Sequence, residues 1–188
     1  MKYFKFIISL TIILAISFTT SCERDDICPA STPTTPRLII DFFDLSNQEN
    51  SKNVFGIVVK GVDNDQVLED FAVVNTAKLI LPLKTENTET GELASSTQYT
   101  LYERSSIDDN ETPNDTTDDI ITGNPDVITI NYNIELVFVS RACGFKTVFN
   151  NVTITIEDDG NNWIKSKQSI NDNQSVEDET TTHFNFFH

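Results

Sequence analysis

Basic residues are scarce in this chain for its length. Thirteen Lys and Arg face 29 Asp and Glu among 188 residues, a formal net charge of −16. A nucleic-acid binder presents a basic stripe to phosphate, so that class is excluded, and an anionic lipid surface would repel the chain. Histidine is nearly absent, with only His183 and His188. Two histidines without a third ligand nearby make a poor zinc site, and few bases are left for a nucleophilic thiol. No glycine-rich phosphate loop, nucleophile elbow or zinc motif occurs. These absences point away from an enzyme. Nor does any apolar run reach the roughly 20 residues that a membrane-spanning helix needs.

What is present begins with a shorter apolar run. Lys2 and Lys5 precede FIISLTIILAISF, Phe6 to Phe18, and small residues follow. A positive start, an apolar middle and a small-residue end predict a secretory signal peptide over residues 1–21. It ends in TTSC, Thr19 to Cys22, which resembles a bacterial lipoprotein cleavage box, with Ser21 in the small position and Thr19 where Leu is usual. The resemblance implies a diacylated Cys22 at the head of the mature chain. One acyl chain holds marginally and two or three hold stably, since each buried methylene contributes roughly 0.8 kcal/mol. The mature protein is therefore expected on a membrane without crossing it. Residues 1–21 carry two lysines and no acid, so their removal moves the formal charge from −16 to −18.

An odd number of cysteines in an exported chain calls for a modified residue, a free thiol or an intermolecular bond. With Cys22 lipidated, Cys28 and Cys143 remain, and an oxidising compartment predicts that they pair. Such a bond would stabilise the fold by roughly 4 to 5 kcal/mol in the chain-entropy model. The competing use of Cys143, in RACGF, is a catalytic thiol served by one of the two histidines.

Residues 22–36 are acidic at first and then carry Pro29, Pro33 and Pro36, which predicts an extended tether. From Arg37 to His188 apolar residues mostly alternate, the period of a strand with one buried face. RLIIDFF, NVFGIVVKG, AKLILPL, QYTLYER, DVITINYNIELVFVS, TVFNNVTITIE and THFNFF are the clearest segments, and Trp163-Ile164 is a candidate start for another. VLEDFAVVNTAKL also fits a helix through Val67, Phe71 and Val74, but its β-branched residues favour a strand. Gly91, Asp63-Asn64-Asp65, Gly123-Asn124-Pro125 and Asp159-Gly160-Asn161 are predicted turns. The expectation is a single antiparallel, immunoglobulin-like β-sandwich of about seven or eight strands over residues 37–188.

With TTSC, DDIC, PRLIIDFFD and SRACGFKTVFNNV in place, the chain resembles an uncharacterised family of small Gram-negative envelope lipoproteins, defined by a domain of unknown function. The resemblance implies a Gram-negative envelope setting and brings no particular activity with it. Glu23, Asp25 and Asp26 follow Cys22, interrupted by Arg24, and acids there resemble the signal of lipoproteins sent to the cell surface.

Ser105 to Asp119, SSIDDNETPNDTTDD, is rich in acids and lacks bases. Asp109, Glu111, Asp115 and Asp119 are candidate Ca²⁺ ligands, because calcium takes about six to eight oxygens. The glycine and closing glutamate of an EF-hand are missing, and a solvated, self-repelling loop is the competing account. The expected function is that of a non-catalytic accessory or binding module in the envelope, with an envelope protein or a glycan as partner. The alternatives are a calcium-dependent ligand or polysaccharide binder and a hydrolase using a pair of carboxylates.

Overall fold

The computed structural model describes residues 27–30, 32, 35–62, 67–87, 90–112 and 119–188. The signal peptide, Cys22 and Asp115 lie outside these. Among the described residues there is no helix, and so none long and apolar enough to cross a membrane. The strands are β1 (Leu38–Phe43), β2 (Val54–Gly61), β3 (Val67–Thr76), β4 (Lys78–Leu81), β5 (Ser96–Asp108), β6 (Ile120–Ser140), β7 (Gly144–Ile156), β8 (Ser166–Ser169) and β9 (Phe184–Phe187). They form a four-stranded sheet, β4-β1-β9-β8, and a five-stranded sheet, β3-β2-β5-β6-β7.

Alternation explains most of this. Leu38, Ile40 and Phe42 of β1 meet Leu79 and Leu81 of β4 and Phe184 and Phe186 of β9 in one buried cluster. Val59, Leu101, Ile128, Ile130, Phe149 and Ile154 of the larger sheet belong to the same cluster, so two sheets share one core, as in a β-sandwich. Burial of each large apolar side chain contributes about 1.5–3 kcal/mol relative to exposure. Tyr132 and Phe149 add an edge-on ring contact at 5.0 Å.

Three expectations change. The described strands number nine: VLEDFAVVNT forms the strand that its β-branched residues favour, and Ser166–Ser169 adds a short one just after Trp163-Ile164. One pair is parallel: Ile40 faces Phe184 and Phe43 faces Phe187 across β1 and β9. These strands come from the two ends of the domain sequence, so no hairpin forces them antiparallel. The strand order also differs from immunoglobulin domains, where the first strand neighbours the second; here β1 lies between β4 and β9.

Contacts divide the chain into a larger unit, Pro33–Val137 with Lys146–His188, and a smaller one, Met1–Thr32 with Phe138–Phe145. In the smaller unit Cys28 is disulfide-bonded to Cys143 across a sequence separation of 115.

Candidate functional site

The larger unit holds a cavity of about 330 Å³. Its position follows from places where strand alternation breaks. Between β2 and β3, Val54 pairs with Thr76 and Ile57 with Val74, so Phe55 and Gly56 stand opposite Asn75 alone. Between β5 and β6, Glu103 pairs with Asn124 and Ser106 with Thr122, so Arg104 and Ser105 stand opposite Gly123 alone. Two residues against one is a β-bulge, which bends the strand and re-aims its side chains.

The bulges adjoin each other. A Cβ on Gly56 would come within 3.1 Å of the Ser105 nitrogen, and one on Gly123 within 2.7 Å of the Glu103 carbonyl oxygen. Gly56 (φ 59°), Arg104 (φ 51°) and Gly123 (φ 129°) all take positive φ. Glycine does so freely, whereas the αL conformation of Arg104 carries strain. Gly123-Asn124-Pro125 is thus part of β6 and not the predicted turn: its glycine serves the bulge, and Pro125 pairs with Tyr102.

Phe55, Glu103, Arg104 and Asn124 from these bulges line the cavity, joined by Lys52 and Asn53, Asn161 to Trp163, Lys165 and His188. Phe55 is 61% exposed. The amides are held in place. Asn124 Nδ2 donates to the Asn161 carbonyl (2.9 Å), Asn161 Nδ2 donates to Asn124 Oδ1 (3.2 Å), and Asn162 Nδ2 donates to the Glu157 carbonyl (2.6 Å). Each of these bonds uses one of an amide's two N–H groups.

Beneath them Trp163 is buried, its indole N–H donating to the Leu101 carbonyl at 3.1 Å. Its backbone N–H and that of Ile164 donate to the two oxygens of Asp126, at 3.2 and 2.8 Å. Asp126 is only 1% exposed, and burial raises its pKa against the opposing pull of those two bonds. The His188 ring packs edge-on to Trp163 and Phe42, both at 5.7 Å, and its Nε2 is buried without a hydrogen-bond partner among the described residues. Burial lowers the His188 pKa, so the neutral ring is favoured. Lys52 Nζ donates to the His188 carbonyl (2.7 Å) and pairs with Asp44 (3.2 Å).

Apart from His188, the candidate site residues singled out from sequence lie elsewhere. In the acidic loop Asp108 and Asp109 accept the backbone N–H groups of Asn110 and Glu111, at 3.1 and 3.2 Å, as self-contained turns. Among the described residues no three His, Cys, Asp or Glu converge where a metal ion could sit. His183 is buried at 3% exposure and its Nδ1 accepts the Ile39 N–H at 2.9 Å, which makes it a structural link to β1. The phenylalanines of HFNFFH are in the core, as a closing strand requires. Nothing in the sequence reading marked the cavity. The available signal was a lone glycine inside each of two strand patterns, which marks a bulge or a close backbone approach.

Fold and cavity together define an all-β, two-sheet protein with a pocket of mixed polar and aromatic lining built on adjoining bulges. By sequence the chain belongs to DUF6452, a family of unknown function, whose model matches residues 56–188. That span includes the cavity residues from Glu103 onward and leaves out Lys52, Asn53 and Phe55. No curated protein and no solved structure matches the chain.

Proposed function

We propose that this is an outer-membrane lipoprotein, anchored through diacylated Cys22, whose sandwich is a non-catalytic binding module for a polar, hydroxyl-bearing ligand of the glycan class. The observation that carries the binding role is the bulge-built pocket. Fixed amides of Asn124, Asn161 and Asn162 offer hydrogen bonds in set directions, Arg104 offers a charged fork, and the exposed Phe55 ring offers an apolar face. Pre-set polar groups with an aromatic platform suit a ligand that is rich in hydroxyls on its edges and apolar on its faces. The address is supported by TTSC and the acids after it.

Neither alternative has an observation in its favour. Asp108 and Asp109 are engaged in their own turns. A hydrolytic pair needs two carboxylates roughly 5–10 Å apart, and Glu103 is the acid that the described lining supplies.

Titration calorimetry against neutral and acidic envelope oligosaccharides tests the pocket. Phe55→Ala and Arg104→Ala are each expected to weaken binding about tenfold or more, equivalent to about 1.4 kcal/mol. Unaltered affinity in both variants would remove the pocket as the site. Globomycin treatment with acyl labelling tests the anchor, and an unlabelled mature chain starting elsewhere than Cys22 would overturn it.

A further inference from the structure

The smaller unit has a different surface. Phe138 is 58% exposed, Phe145 64% and Ile27 80%. The two phenylalanine rings form an edge-on pair at 5.4 Å, so the hairpin that joins β6 to β7 presents a joint aromatic face to solvent. The charge of the hairpin sequence is equally unlike the rest of the chain, although Glu23, Asp25 and Asp26 precede Ile27 in the same unit. From Glu135 to Glu157 there is no intervening acid, while Arg141 and Lys146 occur between them. In a protein of net charge −16 this is a stretch from which repulsion by a membrane surface has been removed.

The disulfide supplies the geometry. Cys143 is bonded to Cys28 with their Cα atoms 4.8 Å apart, and Cys28 follows Cys22 by six positions. A fully extended chain covers at most about 3.6 Å per residue, so those positions span no more than about 22 Å. We infer that the Phe138–Phe145 hairpin docks on the bilayer interface beside the lipid anchor, with both rings and Ile27 entering the headgroup boundary of a zwitterionic membrane. The inference rests on the anchoring of Cys22 proposed above. Apolar side chains with a cation among them are what an interfacial segment presents, and an exposed aromatic patch of this kind marks a contact surface. The covalent bridge makes the contact local: wherever the acylated sulfur sits, Cys143 stays within the reach of those six positions and the disulfide.

The test is a Phe138→Trp variant of the full chain, processed by its host, purified and reconstituted in phosphatidylcholine vesicles with and without brominated acyl chains. Difference emission against the unsubstituted chain reports position 138, because Trp163 is 4% exposed. The mass of the N-terminal peptide, read on the same sample, reports acylation. An acylated chain with blue-shifted emission quenched at least about twofold is the expected result, and Phe145→Trp should repeat it. Phe55→Trp, equally exposed in the larger unit, should stay unquenched; quenching there as well would mean indiscriminate adsorption and would overturn the inference. An acylated chain unquenched at 138 and 145 would overturn the membrane contact and leave the anchor standing, whether the rings then face a second copy or another protein. An unacylated chain that is still quenched would overturn the anchor and leave the contact. Loss of both signals would remove both.

Discussion

Two stretches of one sheet obey opposite rules. In the middle of β6, Ile128, Ile130 and Tyr132 are buried at alternate positions against Tyr99, Leu101 and Phe149, and side-chain direction follows from counting by two. A few residues earlier, Gly123 and Asn124 face Glu103 to Ser105 across a bulge, φ turns positive, and polar side chains are re-aimed into a pocket. The regular stretch converts sequence into burial. The irregular one gives up some of that stability and gains positions for groups that a regular sheet would send to opposite faces. In this protein the departures from alternation, not the alternation itself, carry the candidate chemistry.

The largest effect that would separate the two regions is a core deletion. Phe149→Ala removes a ring that is 0% exposed and edge-on to Tyr132, and should destabilise the fold by about 3–5 kcal/mol. Chemical denaturation would register it, while ligand affinity of the folded fraction should be unchanged. Gly123→Ala comes next. Its Cβ would meet the Glu103 carbonyl oxygen and Ser105 Oγ, both at 2.7 Å, at a φ of 129°. About 2–3 kcal/mol of destabilisation is expected from strain and overpacking. Unlike the core deletion, it should also abolish binding, because Asn124 and Arg104 move with the bulge.

How much of this was legible in the sequence follows the same division. The strands read correctly where one face is buried, since Leu38, Ile40 and Phe42, or Ile128, Ile130 and Tyr132, announce a period of two. VLEDFAVVNT was ambiguous because Val67, Phe71 and Val74 satisfy both periods; its β-branched residues decided it. Gly123-Asn124-Pro125 misled, since the same residues that make turns also make bulges, and only the partner strand distinguishes them. The pairing of β1 with β9 was not legible, because nothing local specifies which distant edge a strand will join. The pocket was invisible for the same reason: Phe55, Arg104, Asn124 and Asn161 come from four separate segments. The acidic run at Ser105–Asp119 drew attention by composition, yet Asp108 and Asp109 accept the backbone N–H groups of their own turns.

A smaller effect should follow pH. Burial lowers the pKa of both histidines: at His183 it outweighs Asp178 and Glu179, which pull upward, and at His188 it outweighs Glu103 and Asp44, which also pull upward. A group whose folded pKa is depressed binds more protons when unfolded, so its contribution to stability is present above the ordinary value of about 6.5 and is lost as pH falls below it. The unfolding free energy should therefore decline between pH 7 and 5.5, by at most about 1.4 kcal/mol per histidine over the pH unit below 6.5, and the melting temperature should fall with it. His183→Gln should flatten that slope, and an equal slope in this variant would locate the titration elsewhere. The site enters here through His188, which lines the cavity and whose buried Nε2 has no hydrogen-bond partner among the described residues.

The smallest expected effect has the opposite sign and is the most discriminating. Arg104 holds φ at 51° on an exposed position of the bulge, a conformation that a glycine adopts without the steric penalty of a Cβ. If Arg104 were there for the fold, glycine would serve at least as well. Arg104→Gly should thus leave stability unchanged or raise it by up to about 1 kcal/mol, the strain relieved being partly offset by the greater freedom of glycine in the unfolded chain. Ligand affinity should nevertheless fall about tenfold, because the guanidinium is gone from the lining. Stability that rises while binding falls is the signature of a residue kept for its ligand at the expense of the backbone. A variant that loses stability and keeps its affinity would make Arg104 a structural residue, and would place the bulges among the features that shape the sheet and not among those that hold a ligand.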